Sequence, residues 1–370
     1  MTKPRILFYG AIGDAGSRRR IGGGETGNRK TLDYLRRTGF DTVSVGKPYP
    51  RKAGILRAPQ YAGGLLAVFL KVFWKLATDR SIGSVHISGF YLHLIYHEYA
   101  LIALSRLMGK RVVYELRGSG VERGYEHRSL FYRFFFRQAV ARSHAVLSQG
   151  SRYLPFLRRF TDRNVLHYPN CNELYRMPRE NPDETVTEAG EVRLVYFGRI
   201  VASKRPDLAI RACHDLCVRG INARLSIVGE GEEGFLQDLK SISASLGDPA
   251  RVDFLPAVEM AGLIEILARS HFFVFPSAEP REGQSNALTE AMGMGGVPIV
   301  SGAGFNREIV GDASLVVAAD GQASAYSDIM HRILTAGDWR HLSAKARGRV
   351  ALLYSEDVAL AALRDAHTAF

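Results

Sequence analysis

Residues 271–300 read HFFVFPSAEPREGQSNALTEAMGMGGVPIV, and this stretch decides the fold class. The apolar run HFFVF is typical of a buried strand, and GVPIV is typical of a second one. The polar turn between them holds Ser285 and Asn286 and leads into ALTEAM, which predicts a helix with a side-chain cap. A strand, a helix and a strand in this order predict a right-handed crossover between two parallel strands.

The same alternation extends over almost the whole chain. The first half contains six predicted strands: Arg5–Tyr9, Thr42–Val45, Ser84–Ile87, Arg111–Glu115, Ala145–Leu147 and Val165–His167. The second half contains six more: Arg193–Phe197, Arg224–Val228, Val252–Phe254, Phe272–Phe275, Val297–Val300 and Leu315–Val317. The 370 residues suffice for two domains. The predicted fold class is α/β, with two doubly wound Rossmann-like domains that face each other across a cleft.

The predicted boundaries follow this alternation. The first domain covers residues 1–172, a polar linker covers 173–190, and the second domain covers 191–353. Residues 354–370 form a helix after the second series of strands is complete, so this helix could return to the first domain. Ligands of open parallel sheets lie beyond the carboxyl ends of the strands, so we expect functional residues to follow strands.

The composition is that of a soluble globular enzyme, with 46% hydrophobic and 23% charged residues. Only three cysteines are present (Cys171, Cys213 and Cys217), which excludes a disulfide framework and fits a reducing compartment. We find no apolar run of the roughly 18 residues that a spanning helix needs, and no signal peptide. These features predict a cytoplasmic protein, with a position at the inner face of the plasma membrane left open.

The net charge of +12 is distributed unevenly. Residues 1–180 hold 31 Lys and Arg against 12 Asp and Glu, which is +19, whereas residues 181–370 hold 18 against 25, which is −7. The basic half is therefore expected to meet an anionic partner, such as a phospholipid surface, a lipid-linked phosphate or nucleic acid.

Two basic stretches in the first half, Leu65–Leu76 and His127–Arg142, mix aromatic residues with Lys and Arg and contain no acid. Either stretch could lie in a membrane interface, or could be an ordinary helix packed on the sheet with its charged face in water.

Two carboxylates flank the predicted helix start in residues 276–292. Glu282 lies in the loop before the helix, and Glu290 is expected within about its first turn. The backbone N–H groups at this start, around Ser285, Asn286 and Ala287, would form an anion site suited to a diphosphate. The Glu290 carboxylate could then accept hydrogen bonds from a ribose.

Two cations follow the first strand of the second half. This strand ends at Gly198, and Arg199 and Lys204 lie in the loop that leads to a helix with Pro206 near its start. Such cations could bind the same phosphates from the opposite side.

Together these two segments resemble the donor-binding half of retaining GT-B glycosyltransferases of family 4, also called group 1. The E-x7-E signature of that family matches Glu282 and Glu290, and its phosphate-binding Arg and Lys match Arg199 and Lys204. The segment VGEGEEGFLQDL, which includes Gly229, falls where the family has VGxG. The resemblance covers about residues 191–317. It implies a GT-B fold and a nucleotide diphosphate sugar bound without a metal or another cofactor.

The first half resembles the family more loosely. A Gly-rich loop corresponds to residues 10–27, with Gly22, Gly23 and Gly24 opening a helix near the donor phosphate and the acceptor. Arg117 follows the fourth strand, where many family members have His, which implies contact with a phosphate, an acidic sugar or the acceptor. Asn170 matches the turn of the family at the domain junction, with Cys171 in place of Gly, and is interpreted as structural.

The remaining groups of His, Cys and Asp residues are interpreted as having no role in the chemistry. His93 and His97 have the spacing of two metal ligands on one helix face, but a third ligand is missing. Cys213 and Cys217 are four residues apart on a helix, which favours buried packing. No Asp-x-Asp motif occurs, which argues against the metal-dependent GT-A class.

The sequence thus predicts a retaining, metal-independent glycosyltransferase with a nucleotide-sugar donor and an acceptor on the first domain. The expected acceptor is a saccharide or a lipid-linked glycan in the synthesis of a bacterial surface polysaccharide. A GT-B nucleotide-sugar epimerase or hydrolase is the alternative enzyme. A nucleic-acid-binding protein is the less favoured third interpretation, because no recognised module accompanies the basic charge.

Overall fold

The computed structural model describes residues 5–13, 23–49, 57–89, 92–178, 190–279 and 282–368. Two six-stranded sheets form the centre of the fold, and every strand pair in them is parallel. The strands form because short apolar runs are covered by helices on both faces of each sheet, as in Tyr114 and Val146, which are fully buried.

The first sheet has the strand order β2-β1-β3-β4-β5-β6. Its strands are β1 (Arg5–Gly10), β2 (Thr42–Gly46), β3 (Ile82–Gly89), β4 (Arg111–Leu116), β5 (Ala145–Ser148) and β6 (Asn164–His167). The helices between and after them are α1 (Gly23–Arg37), α2 (Arg57–Thr78), α3 (Ile95–Leu107), α4 (Val121–Glu126), α5 (Leu130–Arg142) and α6 (Leu154–Arg158).

The second sheet has the strand order β12-β11-β10-β7-β8-β9. Its strands are β7 (Val192–Phe197), β8 (Ala223–Val228), β9 (Val252–Leu255), β10 (Phe272–Phe275), β11 (Val297–Ser301) and β12 (Val316–Val317). The helices are α7 (Pro206–Val218), α8 (Glu233–Ser245), α9 (Met260–Ala268), α10 (Asn286–Gly293), α11 (Asn306–Val310), α12 (Ala323–Ala336), α13 (Trp339–Leu353) and α14 (Glu356–Thr368).

The chain divides into two units, Met1–Asn170 with Asp357–Phe370, and Cys171–Glu356. The last helix, α14, therefore belongs to the first unit. His367 on α14 is buried there, with its Nδ1 atom 3.0 Å from the Ser84 hydroxyl of β3. The fold prediction of two doubly wound Rossmann-like domains is confirmed, including the return of the last helix.

The direction of strand addition reverses once in each sheet. The reversal lies between β1 and β3 in the first sheet and between β7 and β10 in the second. Such a reversal opens a crevice at the carboxyl ends of the two strands, and ligands of doubly wound folds bind there. These two positions are where a site is expected in each unit.

Part of the predicted linker packs on the second unit. The backbone carbonyls of Tyr175 and Met177 accept hydrogen bonds from Arg347 on α13, at 2.6 and 2.9 Å. The Glu173 carboxylate accepts a hydrogen bond of 2.7 Å from the Glu356 amide. The rest of that linker, residues 179–189, lies outside the described residues.

Helix α2 corrects the expectation that no apolar stretch reaches spanning length. Within its residues Ala58–Thr78, an 18-residue window has a mean hydropathy of 1.3, so the stretch is long and apolar enough to cross a membrane by length and composition alone. Lys71 and Lys75 are the only charged residues in this stretch. Only 17% of it is buried inside the protein.

Candidate functional site

The residues predicted to carry chemistry in the second unit lie at its topological switch point. One loop, residues 198–205, follows β7, and the other, whose described residues are 276–279 and 282–285, follows the neighbouring strand β10. A backbone hydrogen bond of 2.8 Å from Ala278 to the Ser203 carbonyl holds the two loops together. The structure therefore brings together two segments that are about 80 residues apart in sequence.

At this point Lys204 and Glu282 form a direct, buried ion pair. The Lys204 ammonium donates to Oε2 of Glu282, and both residues are less than a tenth exposed. Ser277 donates a second hydrogen bond to the same oxygen at 2.7 Å. The Lys204 ammonium also lies 4.9 Å from the centre of the Phe275 ring, close enough for a cation–π interaction. A charge-assisted pair in a dry setting is strong only while both partners are present.

The backbone at Glu282 is held by a turn that only glycine can form. Gly304 has a φ of 54°, and a Cβ atom at this position would lie 2.0 Å from the Glu282 carbonyl oxygen. The next residue, Phe305, donates its amide to that same oxygen at 3.3 Å. The close approach fixes the Glu282 loop against the turn that follows β11.

Strained backbone lies next to Lys204 on the other loop. Residues Ala202–Lys204 form a short 3-10 turn, and Arg205 then adopts a left-handed conformation with φ 51°. Arg205 is the sole non-glycine residue with positive φ in the described part of the chain. It makes hydrogen bonds of 3.0 and 2.9 Å to Asp207, and Pro206 begins α7 as predicted. Strain of this kind tends to collect at functional sites.

Helix α10 presents its N-terminus directly after the Glu282 loop. The Ser285 hydroxyl accepts a hydrogen bond of 3.4 Å from the Leu288 amide, so Ser285 is the cap that the sequence predicts. Asn286 and Ala287 are the first two helical residues, and their backbone N–H groups lie in the first turn of the helix. Glu290 lies just beyond the first turn and is partly buried.

Two glycines allow the loops after β7 and β8 to approach closely. A Cβ atom on Gly229, whose φ is 148°, would lie 1.9 Å from the Gly198 carbonyl oxygen. The Gly198 amide in turn donates to the Val228 carbonyl at 3.0 Å. Gly229 thus allows the loop after β8 to pack against Gly198 beside the switch point, and its contact with a ligand stays a prediction. Arg199 is exposed at the end of β7.

In the first unit, Arg117 is packed inside the protein. Its guanidinium lies 2.5 Å from Glu115 and donates to the Thr31 hydroxyl at 3.0 Å and to the Asn170 side chain at 3.3 Å. A Cβ atom on Gly27 of α1 would lie 2.1 Å from it. These partners give Arg117 a structural role, and the predicted contact with a ligand stays untested.

Gly23 and Gly24 open helix α1 as expected. The other glycine predicted at this helix start, Gly22, falls within residues 14–22, outside the described residues. The role of the Gly-rich loop toward a phosphate therefore remains a prediction from the sequence.

A buried polar chain in the first unit was not predicted from the sequence. His86 Nε2 lies 2.9 Å from Glu115, His86 Nδ1 lies 3.1 Å from His367 Nε2, and Ser84 completes the chain. An ionised carboxylate only accepts hydrogen bonds, so His86 donates from Nε2 to Glu115. Burial alone would raise the pKa of Glu115, but Arg117 and His86 outweigh it and lower that pKa. The available signal was an acid inside the apolar strand VVYEL.

The predicted metal spacing of His93 and His97 does not form on one helix. Helix α3 begins at Ile95 with Leu94 as its cap, so His93 precedes the helix. Burial lowers the pKa of His97 to about 4. Among the residues that the structure describes, no three His, Cys, Asp or Glu side chains come together as a metal site. The three cysteines are not disulfide-bonded, and of the two on α7 Cys213 is buried and Cys217 is partly buried.

Comparison with known proteins supports this view of the second unit. Residues 179–348 match the profile of a family described as Glycosyl transferases group 1, and this is somewhat under half of the chain. The match includes every site residue discussed above for the second unit. A comparison with curated protein sequences gives no match.

Several solved structures share the fold of both units. Sucrose-phosphate synthase from Thermosynechococcus elongatus is 18% identical with a TM-score of 0.71, and the match covers 97% of each chain. HepE from Anabaena, solved with UDP, is 14% identical with a TM-score of 0.69, and the match covers 99% of this chain and 100% of that one. A structure described as trehalose-6-phosphate from E. coli, bound with UDP-2-fluoro glucose, is 13% identical with a TM-score of 0.66 over 98% and 99%. At these identities the likeness establishes the GT-B fold alone.

Proposed function

We propose that this protein is a retaining glycosyltransferase that takes a sugar from a nucleotide diphosphate sugar. The observation that carries the proposal is the buried Lys204–Glu282 pair at the switch point of the second unit, within the segment that matches the group 1 profile. The N-terminus of α10 follows directly on the Glu282 loop at the same crevice. A cation and helix N–H groups at one crevice suit the diphosphate of such a donor.

The chemistry requires that negative charge on the departing diphosphate be stabilised as the bond to the sugar breaks. Lys204, Arg199 and the backbone amides of α10 supply positive charge and N–H donors without a metal ion. We assign Glu290 to the ribose hydroxyls, because its carboxylate lies one turn into the helix whose start binds the phosphates.

Glu282 is assigned to the transferring sugar. Its Oε2 atom accepts from Lys204 and Ser277, and no described residue donates to its other oxygen, Oε1. That oxygen can accept from sugar hydroxyls, while the carboxylate keeps the Lys204 ammonium in place. We propose attack by the acceptor on the same face of the sugar, with its proton passing to the departing phosphate. We further propose that the acceptor is a saccharide or lipid-linked glycan of a bacterial surface polysaccharide.

The first test is binding of UDP, GDP, ADP and dTDP, each with excess EDTA, measured as a shift in the melting temperature. A ligand at about 100 times its Kd stabilises the folded state by about 2.7 kcal/mol, so one nucleotide should produce a clear shift. UDP is the first choice, because the similar HepE structure contains UDP. Binding of no nucleotide at all would overturn the donor assignment.

The second test compares Glu290→Gln with Glu265→Gln, an exposed glutamate on α9 of the same unit. Glu290→Gln should weaken binding of the preferred nucleotide at least tenfold, because hydrogen bonds to a charged acceptor contribute about 1.5–3 kcal/mol. Glu265→Gln should leave the affinity unchanged. Release of free sugar in the presence of every acceptor offered would favour the epimerase or hydrolase alternative instead.

A further inference from the structure

Large exposed apolar side chains are concentrated on three helices of the first unit. Fourteen such residues are exposed in the described part of the chain, and nine of them lie on α2, α3 and α5. These nine are Leu66, Leu70, Phe73, Trp74, Tyr96, Leu107, Leu130, Phe131 and Phe134. All five exposed aromatic residues of the set are among them. A concentration of exposed apolar side chains on one part of a protein usually marks an interaction surface.

The three helices lie side by side on one face of the first sheet. The crossovers that contain them all move in the same direction along the strand order, so right-handed connections place them on the same side. Helix α3 packs against both α2 and α5. The Tyr96 ring of α3 lies 5.5 Å from the Phe131 ring and 5.3 Å from the Phe135 ring of α5. We call this continuous surface the α2–α3–α5 face.

Helix α2 lies flat on the unit although its composition would permit it to cross a membrane. Val68, Val72 and Leu76 form a buried stripe, with exposures of 8%, 1% and 3%. At Gly64 the helix approaches Pro48 so closely that a Cβ atom would lie 2.8 Å from the Pro48 Cβ. The opposite side exposes Leu66, Leu70 and Trp74. An amphipathic helix fixed in this way can enter a bilayer only from the side, in the interface.

The charges of the α2–α3–α5 face are almost entirely positive. Helices α2 and α5 contain no acid, and the chain has no Asp or Glu between residues 42 and 78. Lys71 and Lys75 lie among the apolar residues of α2, and Arg133, Arg137 and Arg142 lie among those of α5. A second copy of the same face would bring like charges together. The arrangement is instead complementary to a surface with apolar depth and a negative outer layer.

We propose that the α2–α3–α5 face docks on an anionic lipid bilayer, with Phe73, Trp74 and Phe131 inserted at the level of the headgroups. The lysines and arginines between them then contact the lipid phosphates. The surface belongs to the first unit and the Lys204–Glu282 site to the second, and the proposal holds whichever reaction that site performs.

The test is co-sedimentation of the full chain with vesicles of phosphatidylcholine alone or with about one third phosphatidylglycerol, without nucleotide. The protein should bind the anionic vesicles and not the neutral ones, and binding should weaken in high salt. Lys71→Gln/Lys75→Gln should reduce partitioning roughly 25-fold, at about fivefold for each cation near an anionic surface. Phe73→Ser/Trp74→Ser should reduce it at least tenfold.

The matched control is Val218→Ser/Leu352→Ser, which removes two exposed apolar residues of the second unit, 73% and 72% exposed. This variant should bind vesicles as the unmodified chain does. Vesicles should also shift the tryptophan emission to the blue, and Trp74→Phe should abolish the shift.

Three outcomes would overturn the proposal: equal binding to neutral vesicles, undiminished binding by both face variants, or no vesicle binding at all. A dimer in solution that Phe73→Ser/Trp74→Ser dissociates would assign the face to self-association instead. Because the variants change exposed side chains, unchanged melting temperatures verify that they remain folded.

Discussion

Removal of one partner of the Lys204–Glu282 pair should destabilise the second unit strongly. The two side chains are only 11% and 10% exposed, so Glu282→Gln leaves an ammonium group buried beside a neutral amide. Loss of one partner from a buried pair costs about 3–5 kcal/mol, because the remaining charge has lost its compensation. Lys204→Met should cost somewhat less, since Ser277 still donates to Glu282 at 2.7 Å.

The double variant Lys204→Met/Glu282→Gln should lose less stability than the two single variants lose when their losses are added. It buries no uncompensated charge, and the Met side chain can still pack on the Phe275 ring, from which the ammonium lies 4.9 Å in the unmodified chain. We expect a coupling energy between the two substitutions of at least about 2 kcal/mol, which lies toward the upper end of the range for residues in direct contact. Single losses below about 1 kcal/mol, or losses that simply add, would refute the reasoning.

Tryptophan fluorescence can report this unfolding selectively. The chain has two tryptophans, and Trp339 is buried in the second unit against the His271 ring, 5.1 Å away. Trp74 lies in the first unit and is 67% exposed, so a Trp74→Phe background leaves Trp339 as the only reporter. Urea unfolding in this background gives the free energy for the unit that holds the pair. The control is Asp253→Asn, which breaks the partly exposed pair with Arg224 and should cost about 1 kcal/mol.

Two further predictions concern a glycine and a histidine. Gly304→Ala should abolish nucleotide binding, because the new Cβ atom would lie 2.0 Å from the Glu282 carbonyl oxygen and displace the Glu282 loop. The control is Gly63→Ala, which has open space around it and should leave binding intact in the same titration. Burial lowers the pKa of His367, and the nearby His86 and Arg111 lower it further. As the pH falls, the unfolded chain therefore binds a proton at this histidine before the folded protein does. The contribution of this group to the free energy of unfolding should be complete above pH 6.5 and decrease below it. Free energies of unfolding from urea titrations between pH 7 and 5 should show a slope of up to about 1.4 kcal/mol per pH unit from this group. The slope should be smaller in His367→Gln, and an unchanged slope would contradict this.

The strands could be predicted from the sequence because each is a short apolar run between polar turns. All twelve predicted strands are present, and β1 begins at Arg5 and β7 ends at Phe197 as predicted. Helix starts were harder to predict: residues 90–94 continue the apolar pattern of α3, yet the helix begins only at Ile95. Periodicity reports which side of a segment is buried, and it does not mark the first turn where no capping side chain is present.

Contacts between distant segments could be predicted only where topology supplies them. The Lys204 and Glu282 loops follow strands that are neighbours in any sheet of this winding, so their proximity was implied by the strand order. The His86–His367 contact joins residues 281 positions apart, and no periodic pattern links β3 to the last helix. A lone histidine near the end of the chain carries no signal of a buried partner.

The charge imbalance between the two halves bears differently on the two proposed surfaces. The second half carries a net charge of −7, yet it holds the proposed diphosphate site. A compact anion responds to groups within about one Debye length, roughly 10 Å at 0.1 M salt, so Arg199, the start of α10 and the Lys204–Glu282 pair decide its binding more than distant acids do. A bilayer surface instead meets many side chains at once, so the summed charge of a face decides whether it binds. The +19 of the first half therefore predicts an extended anionic partner for that half and has no bearing on where the nucleotide lies.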